Sequence, residues 1–368
     1  MRIGVPREVK DGERRVGVTP DGARQLVADG HEVLVVAGAG AAVGFADADY
    51  AAAGARVVPA DAVWSCDLVV KVKELQPSEY GHLVRGTTVF GFAQINRDPT
   101  LLAAVLAAGI EAIAYETVRD AAGRLPLLAP MSRIAGRLAP LVGAEALGTD
   151  RGGAGVLLPG VDAVPGARVV VLGAGNVGGE AARIAARLGA RVTVFSRGTA
   201  RRDALTRVLA DEGHAIAAFA LDDARGARFV DAVTDADLVI GGVLEPGTLS
   251  PKLVTRAMLA AMRPGSVLVD VGIDQGGIAE TSRMTKVSDP TYVECGVVHY
   301  AVPNMPSLVA RTATLALTQA TLPYVRAMAA RGTARAQAED AGLAAGAMVR
   351  AGAIVHAGLA ADAAARAA

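Results

Sequence analysis

The stretch Val169 to Arg197, VVVLGAGNVGGEAARIAARLGARVTVFSR, decides the fold. Val169 to Leu172 is a short aliphatic run of the kind buried on both faces of a parallel sheet. Gly173, Gly175 and Gly178 follow directly as G-x-G-x-x-G, a helix is predicted over Glu180 to Leu188, and Val192 to Phe195 reads as the next strand. Such a glycine pattern is weak alone and strong inside a strand–turn–helix–strand unit. The first glycine permits the tight turn, the second lets a pyrophosphate approach the backbone, and the third lets the helix pack on the strand. Asn176 and Val177 lie between the last two glycines. There, free N–H groups and the positive end of the helix dipole favour phosphate. The stretch reads as a dinucleotide site.

The end of the second strand bears on which dinucleotide. NAD sites usually carry Asp or Glu there, about 20 residues past the motif, to accept hydrogen bonds from the ribose hydroxyls. Here the position holds Ser196, followed by Arg197, with Arg201 and Arg202 close behind. A carboxylate would repel a 2′-phosphate, whereas a hydroxyl and guanidinium groups bind one through charge-assisted bonds. The pattern favours NADP(H), with NAD(H) possible; the competing reading of the arginines is a solvated helix start.

A chain of 368 residues, 52% of them hydrophobic and with a mean hydropathy of +0.36, suits two domains with large cores. Formal net charge is zero and the charges are well mixed. Nothing in that balance favours nucleic acid or a membrane surface. Cys66 and Cys295 have no metal-ligand spacing and make no disulfide framework, which suits a reducing compartment. The start, MRIGVPREVK, lacks the apolar core of a signal peptide. No apolar run is long enough to span a bilayer. The expectation is a soluble cytoplasmic protein with a small-molecule partner and no metal.

Strands are predicted over Arg2 to Pro6, His31 to Ala37, Ala55 to Val58, Asp67 to Lys73, Thr87 to Phe92 and Glu111 to Tyr115. Helices are predicted over Thr19 to Asp29, Ala46 to Ala53 and Pro99 to Ala108. This alternation implies a parallel, doubly wound sheet without a glycine fingerprint of its own, assigned to substrate. A long helix over Ser132 to Ala146, with Pro140 inside it to kink or shorten it, is the expected connector. In the nucleotide unit, strands are also expected over Asp237 to Ile240 and Ser266 to Val271. A second long helix is expected over Ser307 to Ala330, and a helical alanine-rich tail over Ala334 to Ala368. The domains are then residues 1–130 plus 306–368 for substrate and 131–305 for nucleotide.

Several blocks together resemble the alanine dehydrogenase family: RRVGVTP, KVKEL, AYETV, LPLLAPMSRIAGR, VLGAGNVGG, LVIGGVLEPG, VLVDVGIDQGG, VVHYAVPNMPSLV and TATLALTQATLPYV. They cover nearly the whole chain in order. The wider family includes the nucleotide-binding subunit of transhydrogenase. The resemblance implies an α/β fold of two Rossmann-like doubly wound parallel-sheet domains flanking a cleft and linked by long helices. It also implies hydride transfer to C4 of nicotinamide and a homo-oligomer, hexamer or dimer.

Carried over by position, Arg15 resembles the family's arginine for the substrate carboxylate and Lys73 its lysine on the carbonyl or carboxylate side. A planar guanidinium fork and a partly desolvated ammonium suit a 2-oxo acid. Glu13 and Glu116 match acidic positions that serve equally well as structural partners of these cations. Asp274, in GIDQGG, resembles the catalytic aspartate beside the nicotinamide, and Ser132, Asn304 and Met305 resemble cofactor-contacting positions. Alanine dehydrogenases carry a histidine where this chain has Gln94, in VFGFAQINRD. Glutamine hydrogen-bonds a carbonyl or amine but does not shuttle a proton near pH 7. His31, His82, His214 and His356 read as ordinary side chains, and His299 falls in a block where the family also has a histidine. The expected function is an NADP(H)-preferring oxidoreductase acting at the C2 of an amino acid, 2-oxo acid or imine. Lys73, Gln94 and Asp274 would be its catalytic residues. The alternatives are a reductase of a preformed cyclic or secondary imine and a catalytically silent NADP(H)-binding sensor.

Overall fold

Short aliphatic runs bounded by Gly, Pro and Asp become strands, and the alanine-rich segments between them become helices. The computed structural model describes residues 1–221, 226–243 and 249–367. The chain divides into two compact units, Met1–Met131 with Pro306–Ala368, and Ser132–Met305. Strands β1 (Arg2–Val5), β2 (Glu32–Val36), β3 (Arg56–Val58), β4 (Leu68–Val70), β5 (Thr88–Gly91) and β6 (Glu111–Ala114) come first. β7 (Arg168–Leu172), β8 (Arg191–Ser196), β9 (Ala217–Ala220), β10 (Leu238–Gly241), β11 (Val267–Asp270), β12 (Thr291–Glu294) and β13 (Val297–Tyr300) belong to the second unit. β14 (Ala347–Arg350) and β15 (Ala353–Ile354) belong to the first.

The first sheet has the order β15-β14-β6-β5-β4-β1-β2-β3 and is parallel from β6 to β3. Every residue of β4 and β5 is buried. That is why LVV of β4 reads as an unbroken aliphatic run rather than an alternating one. Helix Pro20–Ala28 is started by Thr19, whose hydroxyl accepts from the Gly22 N–H at 3.1 Å.

The second sheet has the order β12-β13-β11-β10-β7-β8-β9, and the chain reverses direction across it between β7 and β10. Ligands of open α/β sheets bind at such a switch point. One face packs Val169, Val171, Val194 and Ile240 against Ala181, Ala182 and Ala185 of helix Asn176–Arg187. The other packs Val170, Leu172, Val239 and Leu268 with Phe195 and Phe229, whose rings meet edge-on at 5.1 Å. Each such aliphatic burial contributes roughly 1.5–3 kcal/mol.

The structure corrects several expectations. The tail is not wholly helical: β14 pairs antiparallel with β6, and β15 with β14, so the first sheet ends in an antiparallel edge. β4 ends at Val70, which leaves Lys71 and Lys73 in the loop beyond it. The glycine-turn helix starts at Asn176 rather than Glu180, because Gly175 is its N-cap. The connector begins at Ala129 and runs unbroken through Pro140 to Ala146. The later helix spans Ala310–Arg331, after a 3₁₀ turn over Met305–Val309. β9, β12 and β13 are strands that the sequence reading did not place. Residues 244–247 of the LVIGGVLEPG block lie outside the described residues. Among the described residues no helix is long and apolar enough to cross a membrane.

Candidate functional site

In the first unit the loops after β1, β4, β5 and β6 leave the C-terminal edge of neighbouring parallel strands, and they carry Arg15, Lys73, Gln94 and Glu116. Arg15 is only 2% exposed. Its Nε and Nη2 donate to the Glu13 carboxylate at 2.7 and 2.6 Å, and Nη1 reaches the Met131 sulfur at 3.0 Å. Glu13 Oε1 also accepts the backbone N–H groups of Arg14 and Arg15. One edge of the guanidinium is therefore committed to the Glu13 carboxylate, which fixes its orientation.

Lys73 is 6% exposed, with Nζ 3.5 Å from Glu74 Oε2. Glu74 also bonds to Lys10. Burial raises the Glu74 carboxyl, but Lys73 and Lys10 outweigh it and hold the group below its ordinary range. Gln94 adopts the left-handed conformation, φ 43°, just past β5. Glu116 holds that turn by accepting the backbone N–H groups of Gln94 at 2.7 Å and Ala93 at 3.1 Å. Burial pushes the Glu116 carboxyl up against these bonds.

In the second unit the glycine turn joins β7 to helix Asn176–Arg187. Gly173 has φ 100°, closed to ordinary L-residues. A Cβ on Gly178 would stand 1.9 Å from the Gly173 carbonyl oxygen, so only glycine lets helix and turn close up there. At Gly175 a Cβ would meet nothing nearer than the Arg201 guanidinium, at 3.7 Å. Tight behind and open in front, this cradle fits a dinucleotide pyrophosphate, with Asn176 and Val177 in the first helical turn. Ser196 ends β8 and is buried, while Arg197 and Arg201 are exposed or nearly so.

Asp274 is exposed on the 3₁₀ turn Ile273–Gln275 that follows β11. Ser132 is half-buried, Asn304 has φ 56°, and Met305 is packed into the core of this unit, so any cofactor contact from Met305 uses its backbone. His299 is a buried structural side chain, with Nε2 paired to the Thr281 hydroxyl at 2.8 Å and Nδ1 to the Val297 carbonyl at 2.9 Å.

The sequence reading missed Glu8, Lys71 and Glu79, which surround the Lys73 loop, and Asp270 at the end of β11. Asp270 Oδ2 accepts from Ile278 N at 2.8 Å and Ser282 Oγ at 2.5 Å, tying down the far end of the loop that carries Asp274. The available signal was a charged residue next to an aliphatic strand, as in PREVK and VLVD, since such positions are rarely buried without a task.

A chain with this switch point, this glycine turn and buried cations at parallel strand ends is of the nicotinamide-dependent oxidoreductase class. Comparison with known proteins narrows the class. The model for the N-terminal domain of alanine dehydrogenase/PNT matches residues 4–135, and the one for its C-terminal domain matches residues 139–357. An alanine dehydrogenase of Halomonas elongata is 50% identical over 348 residues, 94% of this chain and 92% of its own. A solved L-alanine dehydrogenase superposes with a TM-score of 0.93 at 44% identity, covering 98% of this chain and 99% of that one. A transhydrogenase from Sinorhizobium meliloti gives a TM-score of 0.82 at 27% identity, covering 97% and 99%. The chain belongs to the alanine dehydrogenase/PNT family, and it is an oxidoreductase acting on CH–NH2 groups.

Proposed function

We propose that the protein interconverts an amino acid and its 2-oxo acid, by way of the imine, and prefers NADP(H) to NAD(H). The observation that carries the reaction is the pair of buried cations, Arg15 and Lys73, at the ends of neighbouring parallel strands. A 2-oxo acid needs a fixed positive charge for its carboxylate and a donor for its carbonyl oxygen. Arg15, oriented by Glu13, binds the carboxylate, and Lys73 polarises the carbonyl. Gln94 hydrogen-bonds the reacting oxygen or nitrogen through its amide, and Asp274 or Lys73 moves the proton that Gln94 does not carry. The names of the relatives make alanine and pyruvate the first pair to try.

When bound, nicotinamide supplies the hydride. What this chain contributes toward it is the cradle of Gly173, Gly175 and Gly178, with Ser132, Asn304 and Met305 as further contacts. Ser196, Arg197 and Arg201 supply the specificity. The Ser196 hydroxyl at the end of β8, Arg197 just beyond it and Arg201 in the first turn of the next helix would attract a 2′-phosphate, which supports the NADP(H) preference. Substrate binding falls to the first unit and nucleotide binding to the second. The free Cys66 and Cys295 suit a cytoplasmic setting, and the family resemblance suggests a homo-oligomer.

The test follows reduced-nicotinamide absorbance with NADPH or NADH, a panel of 2-oxo acids, and ammonium present or absent. Consumption that requires both oxo acid and ammonium supports the proposal. Gln94 favours one second reading, reduction of a preformed protonated imine, which needs no imidazole acid. Turnover of a cyclic imine, or a requirement for an amine other than ammonium, would select it. Tight NADPH binding with no turnover on any substrate would point to a silent sensor instead.

A further inference from the structure

Behind Lys73 lies a second group of charges that the reaction does not use. Lys71 is fully buried, and its Nζ donates to Glu8 Oε2 at 3.1 Å and to Glu79 Oε1 and Oε2 at 3.0 and 3.2 Å. Glu8 and Glu79 are themselves almost wholly enclosed. Each carboxylate also reaches backbone. Glu8 Oε1 accepts the Val72 N–H at 2.6 Å, and its Oε2 lies 3.4 Å from the Lys73 nitrogen. Glu79 Oε2 accepts the Gln76 N–H at 2.7 Å. The loop from residue 72 to 76, which presents Lys73 and Glu74, is thus gripped at both ends by carboxylates tied together through one ammonium.

Stability is a poor reason for such a triad. Desolvating three charges is costly, and a hydrophobic replacement of similar shape is often no less stable. Burial pushes the Glu8 carboxyl up, while the two carboxylates keep Lys71 charged despite its burial. What the triad does supply is geometry. The backbone pairing with the neighbouring strand stops at Val72, whose carbonyl accepts the Phe92 N–H at 3.0 Å, and beyond that point backbone N–H groups held by braced carboxylates fix the register.

We propose that Glu8, Lys71 and Glu79 act as a positioning clamp, holding the loop 72–76 so that the Lys73 ammonium meets the substrate at the productive place. The inference rests on the reading of Lys73 as a substrate-contacting residue. The sensitivity it implies is large, because a displacement of about 1 Å of a positioning group can cost on the order of a hundredfold in rate.

The variants Glu8→Gln and Glu79→Gln test it. Each leaves Lys71 one carboxylate and keeps a carbonyl oxygen for backbone. Each also turns an amide NH2 toward a donor, either the Lys71 ammonium or a backbone N–H, so the tie between ammonium and backbone is broken on one side. In the full-length enzyme both are expected to lower kcat/KM for pyruvate with ammonium at least tenfold. The dissociation constant for reduced cofactor should stay within about twofold of wild type, and the thermal midpoint within a few degrees. Lys73→Met is the companion variant. If it turns over pyruvate like wild type, the reading of Lys73 has failed and the clamp has no object. If Lys73→Met is crippled while both glutamine variants match wild type, that reading stands and the clamp is overturned. Equal losses in cofactor binding and pyruvate turnover, or failure of both glutamine variants to fold, would make the triad structural and overturn it as well.

Discussion

Arg15 and Glu13 illustrate how a charge is kept inside the protein. A guanidinium taken out of water without a partner is very costly. Glu13 therefore accompanies it, bonding to Nε and Nη2 and to two backbone N–H groups. Glu13→Ala removes the carboxylate that bonds Nε and Nη2 and so breaks a buried ion pair. Denaturant unfolding should show a loss of about 3–5 kcal/mol. Arg197, just beyond the end of β8, was singled out in the sequence by position alone. Arg197→Ala should weaken NADPH binding about 10- to 100-fold, the worth of a charge-assisted bond, and leave NADH nearly unchanged. Calorimetry with both cofactors checks this; equal loss for the two would mean that Arg197 does not read the 2′-phosphate. Glu8 and Lys71 were illegible for a general reason. Only the packing of distant loops tells a buried charge from a solvated one.

At the scale of elements, the glycine turn and its helix were readable because their constraint is local. Gly178 abuts the Gly173 carbonyl only a few residues away. Gly178→Ala should destabilise the second unit by roughly 1–3 kcal/mol through overpacking, measurable by thermal unfolding. Helix Pro99–Ala108 was read to the residue, since Asp98 caps it through the Thr100 N–H and Gly109 ends it at φ 66°. Both are ordinary helix-boundary signals. The hairpin of β12 and β13 was missed because its turn is Cys295-Gly296, with φ 53° and 76°. Cysteine is no hairpin signal. His299 on β13 makes a pH prediction. Burial holds its imidazole below the ordinary value of 6.5. The unfolded chain therefore binds the extra proton first as pH falls. Stability should decline below about pH 6.5, by at most about 1.4 kcal/mol per pH unit from this group. Unfolding midpoints measured from mildly acidic to mildly alkaline pH should slope less in His299→Gln. His31, lowered by burial in the same way, keeps part of the effect. An unchanged slope would place the acid sensitivity elsewhere.

Across the whole molecule, alternation of strands and helices was enough to reveal two mainly parallel α/β sheets, because hydrophobic period and glycine punctuation are written locally. The antiparallel edge formed by β14 and β15 was hidden. Its short strand AMVR carries no period of its own, and its partner Ile113 lies far earlier in the chain. Of the proposed site, Arg15, Lys73, Asp274, Glu13 and Glu116 were singled out by resemblance and the glycines by pattern, whereas Glu8, Lys71, Glu79 and Asp270 were not singled out at all. A cofactor that binds only the folded chain should raise the unfolding midpoint, by the equivalent of about 2.7 kcal/mol at one hundred times its dissociation constant. At equal concentrations NADPH should do so more than NADH.

The most direct test uses NADPH deuterated at the transferring C4 position, with pyruvate and ammonium, followed by mass analysis of the product. The account predicts alanine carrying one deuterium at C2. Alanine without that deuterium, or NADPH oxidised with no amino acid formed from pyruvate or any other 2-oxo acid in the panel, would contradict it.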